Sequence, residues 1–196
     1  MKNKTYKTLT IIALFVFFLS VPFLQSFIFV SNTKGKIDIS KKIEASYIKS
    51  DKKFVLLFFG YVGCTDVCTP LLERLNSLYE SEVFKTVRED VDVVFVNLTS
   101  EVEEHQPDLF AKFFNPAFKG VYLSRRETLD IDRTFGLFFS RSIADKTKVD
   151  HTDFLYLVQN TSDLQILKSM YSIHPLNKEK IIEDIKQLEA KKDEDL

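Results

Sequence analysis

Phe54-Val55-Leu56-Leu57-Phe58-Phe59-Gly60-Tyr61-Val62-Gly63-Cys64-Thr65-Asp66-Val67-Cys68-Thr69-Pro70 is the stretch on which the reading of this chain turns. Six apolar residues in a row, Phe54 to Phe59, fit a central strand buried on both faces. Helix signals follow it. Thr69 is placed to act as the N-cap and Pro70 as the first helical residue. Leu71, Leu72, Leu75, Leu78 and Tyr79 then recur at helical spacing, and Glu73 is expected in the first turn, where the macrodipole favours negative charge. The only two cysteines of the 196 residues therefore lie in a strand-to-helix loop, next to a helix N-terminus.

That position favours thiolate, because unpaired backbone N–H groups and the helix dipole stabilise negative charge. Three intervening residues bring both sulfurs within reach of one ion or of each other. The loop is one residue longer than a Cys-x-x-Cys redox turn, and it suits a metal grip as readily as a dithiol switch. Two inert structural cysteines are the plain alternative. A peroxidase reading from Thr65-x-x-Cys68 ranks below these, since Tyr61 stands where that signature needs proline.

The length suits one domain with extras. The net charge is −1, which gives no basic field for nucleic acid. No charge occurs from Thr8 to Thr33, and Leu9 to Val30 is mostly Ile, Leu, Phe and Val. At about 1.5 Å per residue, such a helix crosses a hydrocarbon layer of about 30 Å. Lys2, Lys4 and Lys7 precede it, as in a signal peptide, but the run is long and no Ala-x-Ala site follows, which favours an uncleaved anchor. The three-lysine tail places the N-terminus inside and the rest of the chain in the periplasm or an equivalent compartment. Residues 1–31 are thus read as the anchor, 32–51 as a tether with an early short strand or turn, and 52–196 as the compact domain.

Within that domain Val91 to Leu98 is a second buried strand, set to pair in parallel with the first across a helical crossover. Glu101 to Phe114 is expected to be helical in part, restarting at Pro107, with Leu109, Phe110, Phe113 and Phe114 as its apolar side. A short strand over Gly120 to Leu123 precedes a helix over Arg126 to Phe138, whose expected buried positions are Leu129, Ile131, Phe135 and Leu137. Ser140 to Val149 is polar and irregular. Asp153 to Gln159 and Leu164 to Tyr171 form a hairpin around Asn160 to Asp163. A last helix from Asn177 buries Ile181, Ile182, Ile185 and Leu188. The order β-α-β-α-β-α-β-β-α fits an α/β fold, a thioredoxin-like sandwich of a central mixed sheet with flanking helices, behind a single N-terminal transmembrane helix.

Phe59-Gly60-Tyr61 before Cys64-Thr65-Asp66-Val67-Cys68, together with Asp150-His151-Thr152 at the opening of a later strand, resembles the SCO/SenC family. Those are membrane-anchored, thioredoxin-fold copper chaperones of respiratory oxidases. The resemblance implies copper bound by Cys64, Cys68 and His151, and Asp66 matches a recurring family residue. It implies an assembly factor that delivers copper to the binuclear site of a terminal oxidase, or prepares its cysteines. The implied partners are the oxidase's subunit II-like protein, other copper chaperones and thiol reductants. The implied location is the inner membrane facing the periplasm, or the mitochondrial intermembrane space in a eukaryote. The family's prolines after each cysteine are Thr65 and Thr69 here, with Pro70 one place late, and its acidic segment after the second strand is not recognisable in Asn97 to Gln106.

Two thiolates and one imidazole form a soft donor set suited to Cu(I), and with a further weak ligand to Cu(II). Structural zinc wants four protein ligands, and no fourth candidate stands out. His105, in a charged stretch, and His174, before Pro175, read as surface and turn residues. A different class of function uses the same cysteines: a membrane-tethered thiol–disulfide oxidoreductase with no stable metal.

Overall fold

The computed structural model describes residues 11–12, 14–20, 35–143, 148–162, 164–174 and 176–194. The chain divides into two units, residues 1–34 and 35–196. In the first, residues 11–12 and 14–20 are helical. Among the described residues no helix is long and apolar enough to cross a membrane. The span expected over Leu9–Val30 lies largely outside them.

The second unit runs β1 (Lys36–Ile43), β2 (Phe54–Gly60), α1 (Cys68–Tyr79), β3 (Val91–Asn97), α2 (Gln106–Phe114), β4 (Lys119–Tyr122), α3 (Arg125–Thr128), α4 (Ile131–Phe135), β5 (Phe139–Arg141), β6 (Val149–His151), β7 (Phe154–Asn160), β8 (Gln165–Ser172) and α5 (Lys178–Glu194). Six strands form one sheet in the order β1-β8-β7-β2-β3-β4, while β5 and β6 pair separately. β2 is parallel to β3, with Phe54 opposite Val91, and antiparallel to β7. β3 and β4 are parallel, and β8 is antiparallel to both β7 and β1. This is the mixed-sheet, thioredoxin-like α/β arrangement that the element order implies.

Every residue of β2 and of β3 is buried. Successive side chains of a strand point to opposite faces, so β2 feeds two cores. Phe54, Leu56 and Phe58 join Leu71, Leu72 and Leu75 of α1, Ala111 of α2, and Ile181 and Ile185 of α5. Val55, Leu57 and Phe59 join Ile131 and Phe135 of α4, Tyr156 of β7 and Ile48 on the other face. The continuous apolar run is the signature of a strand covered on both sides.

Several expectations shift. The domain starts earlier than Lys52: β1, inside the segment read as a tether, is the edge strand beside β8. It is clasped from outside the strand ladder. Lys36 Nζ lies 2.9 Å from Asp184 Oδ1 and 2.7 Å from Asp38 Oδ1. The Tyr171 hydroxyl donates to Asp184 Oδ2 at 2.6 Å. The helix expected over Arg126–Phe138 is two short ones, and Leu129 between them is exposed while Ile131, Phe135 and Leu137 are buried.

In α2 the inward side is Pro107 and Ala111, with Phe110 and Phe114 packed at the edge of the core. Leu109 and Phe113, expected inside, are exposed. The reason is steric. Asp108 Oδ1 accepts from the Gly120 N–H at 3.2 Å, so α2 lies tight on β4 and only small side chains fit between them.

Candidate metal centre

The cysteine loop leaves the C-terminal end of β2 and is held by its neighbour. The Leu98 N–H donates to the Gly60 carbonyl at 2.7 Å. The Val62 N–H donates to Oδ1 of the unexposed Asn97 at 3.0 Å. Gly63 turns the chain at φ +87°, a conformation that costs glycine little. The Cys64 N–H then donates to the Tyr61 carbonyl at 3.1 Å.

The helix start differs from the expected Thr69-Pro70 cap. α1 begins at Cys68 with Val67 as its N-cap residue and no side-chain cap, and Glu73 lies beyond the first turn. Cys64 takes over the capping role. Its sulfur accepts from the Cys68 N–H at 3.4 Å. Its carbonyl accepts from the Thr69 N–H at 3.2 Å and the Thr69 hydroxyl at 3.0 Å. A sulfur that fills a helix's N-terminal vacancy carries negative charge well there.

His151 comes from elsewhere. The segment expected to be irregular contributes the hairpin β5–β6, and His151 is the last residue of β6, opposite Phe139. It therefore ends a short strand rather than opening β7. Its ring stands edge-on to Phe58 (centroids 6.3 Å apart) and to Tyr61 (6.4 Å). The ring Nδ1 lies 3.1 Å from the Thr152 carbonyl oxygen. A carbonyl can only accept, so Nδ1 carries a proton, and Nε2 is the nitrogen that faces Cys64 and, once deprotonated, offers a lone pair to a metal. The acceptor that orients the ring is thus a backbone oxygen, not Asp150 or Asp153.

The donor atoms of Cys64, Cys68 and His151 all lie within 4.8 Å of one another, and among the described residues they are the one Cys/His/Asp/Glu group so placed. Both cysteines are free thiols, Cys64 at 3% exposure and Cys68 at 0%. His105 and His174 stand apart from the group. His105 is mostly exposed and faces Glu103, and His174 Nε2 lies 3.3 Å from Asp153 Oδ2.

The two thiols are electrostatically unequal. A hydrogen bond from Cys68 holds Cys64 far below the ordinary thiol range; burial opposes this, while His151 and the backbone N–H groups of Cys68 and Val67 reinforce it. Cys68 is pushed up by the same hydrogen bond, by burial and by the Cys64 charge. Burial pushes His151 down, but Cys64, the Thr152 carbonyl and Asp153 outweigh it and leave the ring raised. Burial, and then the cysteine charges, push the Tyr61 phenol up to about 12. The reduced, metal-free pair therefore holds one thiolate and one thiol. Ultraviolet thiolate absorbance should persist well below the ordinary thiol value of 9.0 and vanish in Cys64→Ser. A single ordinary thiol titration near that value would contradict the assignment.

The sequence reading missed three groups that shape this site: Asn97, Thr152 and Lys148. Asn97 had a signal, an amide closing a strand that is apolar from Val93 to Val96. Thr152 acts through its backbone and Lys148 sits in a polar loop, so neither stood out.

A mixed six-stranded sheet with helices on both faces, with two thiols beyond one strand end and an imidazole brought to them by a separate hairpin, defines a thioredoxin-like domain with a donor set suited to a soft metal. The SCO1/SenC family model matches residues 42–190. The chain belongs to the SCO1/SenC family. It is 26% identical over 118 residues to the human mitochondrial protein SCO1 homolog, covering 56% of this chain and 39% of that protein. It spans about half the length, or less, of the curated relatives it matches. Apo Sco1 from Thermus thermophilus is similar in structure, with a TM-score of 0.58 and 27% identity, covering 78% of this chain and 92% of that one. Copper-bound ScoI from Arabidopsis thaliana shares the fold at a TM-score of 0.59 and 20% identity, covering 70% and 85%.

Proposed function

We propose that this chain is a copper-binding assembly factor that holds copper as cargo at Cys64, Cys68 and His151. It passes the ion to the binuclear copper site of a respiratory terminal oxidase, or readies the cysteines of that site. The observation that carries this reading is the convergence of two sulfurs and one oriented imidazole within 4.8 Å. Thiolate and imidazole are the donors that select Cu(I) over hard cations. Among the described residues no fourth side chain completes a tetrahedral zinc set. A similar protein, Arabidopsis ScoI, is described with copper bound, which supports the choice of ion. Membership of the family supports the oxidase role, since BsSco, which shares the fold, belongs to the Sco family of cytochrome c oxidase assembly proteins.

The proposed location is a membrane anchor in residues 1–31, with the domain facing the periplasm or the mitochondrial intermembrane space. In support, the uncharged run reaches from Thr8 to Thr33. Its described helical residues leave Phe15, Phe17 and Phe18 exposed.

The test is a Cu(I) titration of the reduced full-length chain in detergent against a competing chelator. One ion bound tightly is expected, with loss of about tenfold or more in affinity in His151→Ala and in each cysteine variant. Undiminished affinity in His151→Ala would end the three-donor model. A second reading, thiol–disulfide exchange without stable metal, is favoured by one feature, the thiolate–thiol inequality of the pair. No competitive copper binding, combined with a readily cycled Cys64–Cys68 disulfide, would move the assignment there.

A further inference from the structure

The three donors reach the site from two separate pieces of structure. Cys64 and Cys68 sit on the β2–α1 loop of the main sheet, whereas His151 ends the hairpin β5–β6, which is not part of that sheet. Inside the hairpin the backbone is well bonded. The Ser142 N–H donates to the Lys148 carbonyl and the Thr152 N–H to the Phe138 carbonyl, both at 2.9 Å. Such bonds hold the hairpin's own shape but do not fix its distance from the cysteines.

Beside the contacts of the His151 ring with Phe58 and Tyr61, an ion pair spans that distance. Lys148 Nζ lies 2.7 Å from Asp66 Oδ2. Asp66 is the middle residue of Cys64-Thr65-Asp66-Val67-Cys68, and Lys148 stands three residues before His151. The pair therefore joins the midpoint of the cysteine loop to the strand that carries the imidazole. A second ion pair, Arg141 to Glu101, ties the other hairpin strand to the chain beyond β3.

We propose that Asp66 and Lys148 are positioning residues, an ionic clasp that holds His151 against the two sulfurs. Neither touches the donor atoms in this role. The clasp acts by limiting how far the hairpin swings away, so that less conformational freedom is lost when the third donor engages an ion. Both side chains are substantially exposed, 66% and 47%, so the attraction is modest and open to screening by salt.

The inference rests on the metal-site reading above, and the experiment separates the two. In the reduced full-length chain, Cu(I) affinity is measured by chelator competition for the native protein, Asp66→Ala, Lys148→Ala and the charge swap Asp66→Lys/Lys148→Asp. In the metal-free protein, nuclear Overhauser contacts between the His151 ring and the Phe58 and Tyr61 rings are followed in the same set, since those contacts cross from the hairpin to the cysteine loop. Each single substitution should weaken Cu(I) binding by about two- to five-fold, the size expected for an exposed pair, and weaken those ring contacts. The swap should restore both, and a non-coordinating salt should erode the native advantage. A merely structural role for either residue would not produce rescue by the swap. Unchanged affinity and ring contacts in both single variants, or a swap that restores neither, overturns the clasp. If the native chain binds no Cu(I), the metal reading falls, and the ring contacts alone then decide whether the pair holds the hairpin.

Discussion

Gly60→Ala should fold poorly, and what folds should hold copper weakly. A β-carbon at Gly60 would stand 2.5 Å from the Cys68 sulfur, 3.0 Å from Phe95 Cε2 and 3.3 Å from Phe58 Cε1. Cys68 and both rings are at or near zero exposure, so none can retreat into solvent. Overpacking of this kind costs about 1–3 kcal/mol. The sulfur is the smallest of the three neighbours and sits at the start of α1, so the displacement falls on the metal site. We expect a lower denaturation midpoint together with a fall in Cu(I) affinity of roughly tenfold or more, since about 1.4 kcal/mol corresponds to tenfold. A variant with native stability and native affinity would show that the loop has slack at this point. Cys68→Ala combined with Gly60→Ala should recover most of the stability, because the clash with sulfur is then gone.

The second large effect is expected at Asp184→Ala. Asp184 is 4% exposed and meets Lys36, Lys180 and the Tyr171 hydroxyl. Removing it leaves a buried phenol without that acceptor and the largely buried Lys36 ammonium with the exposed Asp38 as its remaining carboxylate. Breaking a buried ion pair from one side costs about 3 kcal/mol or somewhat more. For a domain of this size that lowers the melting temperature by on the order of 10 °C. Tyr171→Phe, which removes only the hydroxyl, should cost about 1 kcal/mol. The loss should be accompanied by faster hydrogen exchange along β1, because Lys36 is the residue through which Asp184 reaches that strand. A melting temperature within a degree or two of native would mean that β1 is held by its ladder alone.

The core of this fold was legible because it is written in dense apolar runs. Phe54–Phe59 is uninterrupted and Val91–Val96 is broken only by Asp92, and both are strands covered on both faces. The donors were legible for another reason: the chain has only two cysteines, and their spacing and position before a helix admit few chemistries. What escaped the sequence depends on contacts made at a distance. β1 is a lysine-rich strand whose lysine at position 36 is neutralised by an aspartate far along the chain. The face of α2 is chosen by its approach to β4, which favours Pro107 and Ala111 over the larger Leu109 and Phe113. The cap of α1 is a sulfur, which capping rules based on oxygen do not anticipate. The hairpin that carries His151 has strands of three residues each, too short for a period to register.

The placement of the donors in two distant parts of the chain has a thermodynamic consequence. An ion held by Cys64, Cys68 and His151 would act as a cross-link between the β2–α1 loop and the β5–β6 hairpin, present only while the ion is bound. Ligand that binds the native state alone raises stability in proportion to the logarithm of its concentration over its dissociation constant. Under the proposed function the loaded protein would therefore be the stiffer and more heat-resistant form. An acceptor that removed the ion would have to offset that stability, and it would leave behind a domain whose hairpin is freer to move. Delivery and relaxation would then be one equilibrium.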